Sequence, residues 1–172
     1  MKKLYERMQN SLEINFINFI NDVEHDLIHK FHYQSIKIHC FLGGSQRFGY
    51  ATKKSDTDFF VYVNNSFMDH HNSLSSIDDF KGYMFFNDFV IDSDNSEHYP
   101  NADLLFKHKY QNIHVVVILS ESTWEVLRDR HRGIAEYLEN NNQVTEFITR
   151  LKNSIPEIKG GTIYRILSTL SS

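Results

Sequence analysis

The feature that most constrains the fold is the ordered segment from Phe41 to Val63, in which two strand-like runs flank a glycine turn and a pair of aspartates. Residues Ile36 to Leu42 alternate apolar and polar side chains and end at Gly43-Gly44-Ser45, which predicts a strand that ends in a tight backbone turn. The aromatic and β-branched run from Asp58 to Val63 predicts a second strand. We therefore expect the end of the first strand and the start of the second to meet at the edge of a sheet.

This segment also carries groups that suit an anionic ligand and a metal ion. Glycines at a strand end let a ligand approach the backbone, and the following amides, with the Ser45 hydroxyl, can donate hydrogen bonds to phosphate oxygens. Aspartates at positions i and i+2 of a strand project to the same side, so Asp56 and Asp58 can bind one hard cation such as Mg²⁺. Each part alone is common in ordinary turns and loops, but the ordered combination favours metal-assisted phosphoryl transfer.

The flanking sequence predicts an α+β fold in one domain, residues 1–172. The first thirty residues show the periodicity of an amphipathic helix. Its apolar positions are Ile17, Ile20, Val23, Leu27, Ile28 and Phe31. The runs Leu104 to Tyr110 and Ile113 to Leu119, separated by Gln111-Asn112, predict an antiparallel hairpin. No element can be placed between residues 64 and 100, where Asp, Asn, Ser and His clusters interrupt a Phe-rich stretch.

The C-terminal part, residues 122–170, predicts helices. Ser122 with Glu125 three residues later is typical of a capping box, and an apolar face with His131 follows it. Two shorter helices come after, around Phe147 and around Ile166. We predict a small mixed sheet of about four to five strands, flanked on one side by the N-terminal and C-terminal helices.

Composition excludes several classes of protein. A net charge of −4 argues against binding nucleic acid by bulk electrostatics, although Lys53 and Lys54 can form a local basic patch. The single cysteine, Cys40, cannot form an intramolecular disulfide, and the ten histidines show no zinc-type spacing. The sequence contains no apolar run long enough to span a membrane, and its N-terminus lacks the apolar core of a signal peptide. These features predict a cytoplasmic protein.

The segment from Phe41 to Val63 resembles the signature of the DNA polymerase β-like nucleotidyltransferase superfamily, in particular its small single-domain members. The resemblance implies that the Gly43-Gly44-Ser45 element binds the triphosphate and that Asp56 and Asp58 bind Mg²⁺ or Mn²⁺. Arg47, Gly49, Ala51 and Ser55 also fit the small members. Arg47 and Ser55 are therefore candidate nucleotide-binding residues, and an ordinary surface arginine is the alternative for Arg47.

The family normally has a third carboxylate near the start of a later strand, and here the sequence departs from that pattern. His114 stands at the matching position, where a neutral imidazole can accept a proton or bind an ion such as Mn²⁺, or have no role. Asp103 is a second candidate for the third ligand, but in a tight hairpin it would lie at the opposite end from His114. The acidic residues of the segment without predicted elements also remain candidates. They are Asp88, Asp92 and Asp94.

The resemblance implies an enzyme that transfers a nucleoside monophosphate from a nucleoside triphosphate to a hydroxyl acceptor. The acceptor can belong to a protein, an RNA 3′ end or a small molecule. The alternative is a catalytically silent protein of the same fold that binds nucleotide or a protein or RNA partner, and the histidine at an acidic position motivates it. The stretch from Lys159 to Arg165 loosely resembles the basic and aromatic helix that such enzymes pack near the base, and a core helix with surface Tyr164 and Arg165 is the alternative.

Overall fold

A computed structural model of the chain describes residues 2–30, 36–64 and 73–172. Six helices and five strands are defined in these ranges. The helices are α1 (Lys2–His29), α2 (Gly44–Phe48), α3 (Ser73–Phe86), α4 (Glu121–Asn140), α5 (Asn142–Ser154) and α6 (Gly160–Leu170). The strands are β1 (Lys37–Leu42), β2 (Thr57–Asn64), β3 (Phe89–Ile91), β4 (Leu104–His108) and β5 (Ile113–Ile118), and a short 3-10 helix covers Ser96–His98.

The five strands form one mixed sheet in the order β1-β2-β5-β4-β3. Only the central pair, β2 and β5, is parallel, and the other neighbours are antiparallel. The centre of the sheet is apolar on both faces, since every residue of β2 from Phe59 to Val63 is buried. Strands buried on both faces read as continuous apolar runs, which is why the sequence of β2 shows little alternation.

Helices cover both faces of the sheet, so the prediction that the terminal helices share one face is wrong. Phe59 lies on the face covered by α1 and α3, and its ring stacks on Phe16 of α1 with the ring centroids 3.9 Å apart. Its neighbour Phe60 points to the opposite face and packs with Trp124 and Leu127 of α4. Because successive side chains of a strand alternate between faces, these two adjacent phenylalanines require a helical layer on each side.

The C-terminal helices also hold the short helix that follows the glycine turn. Phe48 of α2 and the adjoining Tyr50 are buried in a cluster with apolar residues of α4, α5 and α6. Their partners are Ile134, Leu138, Ile148, Ile163 and Leu167. This cluster fixes the position of the segment between β1 and β2 against the three C-terminal helices.

The predicted hairpin of β4 and β5 and the three C-terminal helices are confirmed, with one difference in detail. The N-cap of α4 is Ser120, whose hydroxyl accepts a hydrogen bond from the Thr123 amide at 3.4 Å, so the prediction of a capping box at Ser122 is wrong.

The segment without predicted elements contains α3 and β3. Of the apolar positions predicted for the first helix, Phe31 lies outside the described residues. Within the ranges given above, no helix combines the length and apolar character needed to cross a bilayer.

His131 of α4 is a buried histidine, with only 2% of its surface exposed. Its ring lies among Phe41, Phe48 and Phe60, with centroid distances from 4.7 to 5.6 Å. Its Nδ1 donates a hydrogen bond to the Leu127 carbonyl at 2.8 Å. Burial opposes the charged form and lowers the pKa of His131 to about 4.

We expect His131 to make the fold sensitive to acid. The pKa in the folded state lies below the ordinary value of 6.5, so the unfolded chain takes up the proton first, and stability falls as the pH drops from about 6.5 to 4. The loss from this residue is on the order of 3 kcal/mol, at about 1.4 kcal/mol per pH unit. Urea unfolding at several pH values should show a smaller acid loss in His131→Leu than in wild type. His98→Leu, at an exposed position, is the control, and equal pH dependence of both variants and wild type would contradict this expectation.

Candidate metal and nucleotide site

The parallel pairing of β2 and β5 brings the predicted acidic pair to His114. Asp58 and His114 are register partners on these two strands, so their side chains lie next to each other on one face. Asp56 precedes Asp58 by two residues and reaches the same side. His114 Nδ1 lies 3.3 Å from Asp56 Oδ2 and 3.6 Å from Asp58 Oδ1. The ligand atoms of the three residues all lie within 4.8 Å of one another.

The glycine turn packs directly against the Asp58 carboxylate. The Gly43 amide donates a hydrogen bond to the Asp58 carbonyl at 2.8 Å, which joins the end of β1 to the start of β2. Gly44 has a φ of +60°, and a Cβ on it would lie 2.5 Å from Asp58 Oδ2. A glycine is required here for both reasons, because other residues disfavour this φ and a side chain would displace the carboxylate. Ser45 lies in the first turn of α2, half-buried, directly after this contact.

Tyr99 holds the other oxygen of Asp58. Its hydroxyl donates a hydrogen bond of 2.6 Å to Asp58 Oδ1. Burial and the nearby Asp58 carboxylate raise the pKa of Tyr99 far above its ordinary value, so the phenol stays a donor. Tyr99 therefore fixes Oδ1 of Asp58, while Oδ2 lies close to Gly44, where a Cβ would meet it. Tyr99 comes from the loop after β3, which the sequence alone did not connect to the site.

The electrostatics of the cluster centre on His114. Contact with the Asp56 carboxylate and then with Asp58 raises the pKa of His114 to about 9, against the opposing effect of burial. The contact with His114 in turn lowers the pKa of Asp56. Without a cation, the cluster therefore consists of a protonated imidazole between two carboxylates at neutral pH.

The donor set of the cluster fits a divalent cation. His114 Nδ1 is buried and makes no hydrogen bond of acceptable geometry with any described residue, although two carboxylates lie close to it. A buried polar atom without a hydrogen-bond partner calls for an explanation, and a bound ion is one that the surrounding oxygens support. Two carboxylates with one imidazole nitrogen can bind Mg²⁺ and suit Mn²⁺ better, because imidazole is a poor ligand for Mg²⁺.

Lys152 of α5 is a candidate site residue that sequence reasoning missed. Its Nζ donates a hydrogen bond of 3.0 Å to the Ser55 hydroxyl and lies 5.4 Å from the centre of the Tyr50 ring. Burial lowers the pKa of Lys152, while the charges of Asp56 and Asp58 raise it. The lysine thus places a cationic group beside the carboxylates, from a helix far along the chain. Its position on an amphipathic helix looks like that of a surface residue.

Two further predicted residues lie away from the three-residue cluster. The Arg47 guanidinium reaches the Leu42 carbonyl, at 3.5 Å, and lies over the Phe41 ring, where it lines a cleft of about 360 Å³ between β1 and α4. Asp103 lies at the far end of the hairpin, because Leu104 pairs with Val117 whereas Lys107 pairs with His114. The Asp103 carboxylate accepts a hydrogen bond from the Leu119 amide at 2.7 Å. The structure therefore brings His114, and not Asp103, to the paired aspartates.

In the C-terminal stretch, Tyr164 is half-buried and Arg165 is exposed. The Tyr164 hydroxyl lies 3.3 Å from His131 Nδ1, and its ring packs near Phe48 of α2. This helix is therefore mainly part of the C-terminal core, with one aromatic side chain close to the segment that follows the glycine turn.

Comparison with known proteins identifies the fold. No family model matches the sequence, and no curated protein matches it. A solved structure, that of the conserved protein GrpB from Enterococcus faecalis, superposes with a TM-score of 0.54 at 14% sequence identity. The match covers 89% of this chain and 92% of GrpB. The fold is of the nucleotidyltransferase type. At this identity the likeness to GrpB concerns the nucleotidyltransferase-type fold alone, and the site rests on the geometry described above.

The contact between Gly44 and Asp58 predicts how a small substitution affects cation binding. Gly44→Ala should weaken Mn²⁺ binding measured by isothermal titration calorimetry, because the added methyl group displaces the Asp58 carboxylate. Gly49→Ala is the matched control, since Gly49 also has a positive φ, +79°, but a Cβ there would meet only Thr145, at 3.7 Å. Both variants should lose stability, by about 1 kcal/mol from the backbone conformation. Equal Mn²⁺ affinity of the two variants would show that the Gly44 contact does not position Asp58.

Proposed function

We propose that this chain is a metal-dependent nucleotidyltransferase that transfers a nucleoside monophosphate from a nucleoside triphosphate to a hydroxyl acceptor and releases pyrophosphate. The observation that carries the proposal is the convergence of Asp56, Asp58 and His114 beside the Gly43-Gly44 turn. The nucleotidyltransferase-type fold supports it, since this cluster lies where β1 ends and β2 begins.

The residues of the site divide into two groups in this proposal. Asp56, Asp58 and His114 hold the cation, Mg²⁺ or Mn²⁺, which when bound neutralises charge on the phosphate oxygens. The amides that follow the glycine turn and the Ser45 hydroxyl donate hydrogen bonds to the triphosphate. Lys152, supported by Ser55, supplies a positive charge for the same polyphosphate.

The position of His114 favours a ligand role over the role of general base. Its two carboxylate neighbours keep the imidazole protonated near neutral pH in the absence of a cation, and this proton must leave before His114 can bind a cation or accept a proton. Because Nδ1 faces the two aspartates, a cation held there takes the Nδ1 lone pair, which is then not free to accept a proton from the attacking hydroxyl. The hydroxyl acceptor can belong to a protein, an RNA 3′ end or a small molecule, and the net charge of −4 favours local contacts over bulk attraction to RNA.

The second candidate is a catalytically silent protein of this fold that binds nucleotide or a protein or RNA partner. A specific observation favours it: protonated His114 lies within 3.6 Å of both aspartates and can offset one of their two negative charges without a metal ion. Such a cluster can persist without a metal ion, because opposite charges are paired within it. The two candidates differ in whether a divalent cation replaces this proton at physiological concentration.

Nucleotide transfer is tested with the four labelled nucleoside triphosphates, with Mg²⁺ or Mn²⁺, and with cell extract as the acceptor source. We expect label transfer and pyrophosphate release with wild type, and at least about a 100-fold loss in Asp56→Asn/Asp58→Asn, because both oxygen ligands of the cation are weakened. The asparagine side chains keep the shape of the site, so circular dichroism should show an unchanged fold.

Asp103→Asn is the control for this experiment, because Asp103 lies at the opposite end of the hairpin. It should transfer label at the wild-type rate. Wild-type activity in the double variant would refute the assignment of the metal site. Absence of transfer by wild type, together with nucleotide binding, would favour the silent protein.

Lys152→Met tests the binding of the polyphosphate. We expect the affinity for a non-hydrolysable nucleoside triphosphate to fall roughly 10- to 100-fold, because a hydrogen bond to a charged group contributes about 1.5–3 kcal/mol. Methionine keeps the length of the side chain and its packing on Tyr50. Lys81→Met, on α3 at the other face of the sheet, should bind the nucleotide like wild type. Fluorescence titration with a labelled analogue measures both, and equal affinities would remove Lys152 from the site.

A further inference from the structure

A fully buried carboxylate lies behind His114, on the side away from the paired aspartates. The Asp92 side chain has 0% of its surface exposed, and its Oδ2 lies 3.5 Å from His114 Nε2. The two nitrogens of the ring therefore face different carboxylates: Nε2 faces Asp92, and Nδ1 faces Asp56 and Asp58. His114 lies between a buried acidic group and the candidate metal site.

The position of Asp92 is fixed by contacts other than the one with His114. Its backbone amide donates a hydrogen bond of 2.8 Å to the Leu105 carbonyl, where β3 ends beside β4. The Asn95 side-chain amide donates to Asp92 Oδ2 at 2.8 Å, and the Lys107 ammonium lies 3.4 Å from Oδ1. Both groups are donors, so each Asp92 oxygen acts as an acceptor in this arrangement.

A carboxylate that faces one nitrogen of an imidazole favours a proton on that nitrogen. All three carboxylates around His114 favour an N–H, but a cation between Asp56 and Asp58 would displace the proton from Nδ1, whereas the contact of 3.5 Å with Asp92 favours a proton on Nε2. In the neutral ring the lone pair then lies on Nδ1, the nitrogen that faces Asp56 and Asp58. Histidines that bind metal ions commonly donate their other ring N–H to a carboxylate in this way, which fixes the ring and strengthens the ligand.

We propose that Asp92 is a positioning residue that holds His114 with its Nδ1 lone pair toward Asp56 and Asp58, and thereby makes the site select Mn²⁺ over Mg²⁺. The inference rests on the cation-binding part of the proposed function and does not require nucleotide transfer. Mg²⁺ prefers oxygen ligands only, whereas the affinity of an imidazole-containing site rises from Mn²⁺ onward along the first-row series. A correctly oriented nitrogen therefore adds affinity for Mn²⁺ and little for Mg²⁺.

The test is isothermal titration calorimetry with Mn²⁺ and with Mg²⁺, in the absence of nucleotide, on wild type and two variants. Asp92→Asn keeps the size of the side chain and removes the charge that fixes the His114 proton. We expect its Mn²⁺ affinity to fall about 10- to 100-fold and its Mg²⁺ affinity to change much less. Asp94→Asn is the matched control, because Asp94 is an exposed aspartate two residues away in the same loop, and it should bind both ions like wild type.

The ratio of the two affinities separates positioning from a structural role. A loss of fold would lower Mn²⁺ and Mg²⁺ affinity together, so an equal loss for both ions in Asp92→Asn would overturn the proposal. Unchanged Mn²⁺ affinity in Asp92→Asn would also overturn it. Wild type that binds Mg²⁺ as tightly as Mn²⁺ would do the same.

A measurement on wild type keeps the test decisive if Asp92→Asn does not fold. Nitrogen-15 NMR of the histidine rings in the presence of Zn²⁺, a diamagnetic ion, shows which nitrogen of His114 carries the proton and which binds the ion. We expect a protonated Nε2 and an ion on Nδ1, and the opposite assignment would overturn the proposal. Selective Mn²⁺ binding without nucleotide transfer would refute the proposed enzyme and leave this inference standing. Nucleotide transfer that depends on Mg²⁺ bound by oxygen ligands alone would support the proposed enzyme and refute this inference.

Discussion

The register between β2 and β5 is the constraint on which the site depends. Because these strands are parallel and Asp58 pairs with His114, the side chains of Asp58 and His114 lie on the same face at one end of the sheet. A slip of one residue would turn every side chain of a strand to the opposite face and separate the two groups. Because β2 and β5 are buried on both faces, the packing of their individual side chains, and not a polar–apolar alternation, sets this register. The packing of the core residues of β2 and β5 thus also sets the geometry of the site.

The groups around the cluster show how the fold accommodates several charges at the edge of its core. The Asp58 carboxylate accepts a hydrogen bond from a tyrosine hydroxyl, and the Asp92 carboxylate contacts a side-chain amide and an ammonium group. His114 lies between the two, with a carboxylate facing each ring nitrogen. Buried charges are tolerated when they are paired and hydrogen-bonded, and among the described residues the buried His114 Nδ1 has no hydrogen-bond partner. That nitrogen faces the candidate ion position.

Local patterns predicted the parts of the fold that are built from neighbouring residues. The strands around the glycine turn, the hairpin of β4 and β5 and the helical C-terminal part follow from periodicity and turn chemistry. The adjacent residues Phe59 and Phe60 indicate that both faces of the sheet are covered, whereas the prediction placed the terminal helices on one face. Asp92, Tyr99 and Lys152 reach the site only through tertiary structure. Their own segments are polar loops or an amphipathic helix, and such patterns carry no information about a partner some 20 to 100 residues away in the chain.

The histidine at the acidic position alters the chemistry of the site in a specific way. A third carboxylate would leave three negative charges that only a cation could balance. His114, in contrast, can itself offset one of the two negative charges of Asp56 and Asp58 when protonated, so a proton and a divalent cation compete for one position. Such competition weakens cation binding at lower pH and favours ions that bind nitrogen well. The choice between an enzyme and a silent protein of this fold thus depends on one equilibrium at a single nitrogen, and Asp92 lies on the other side of the ring, where it holds that nitrogen toward the two aspartates.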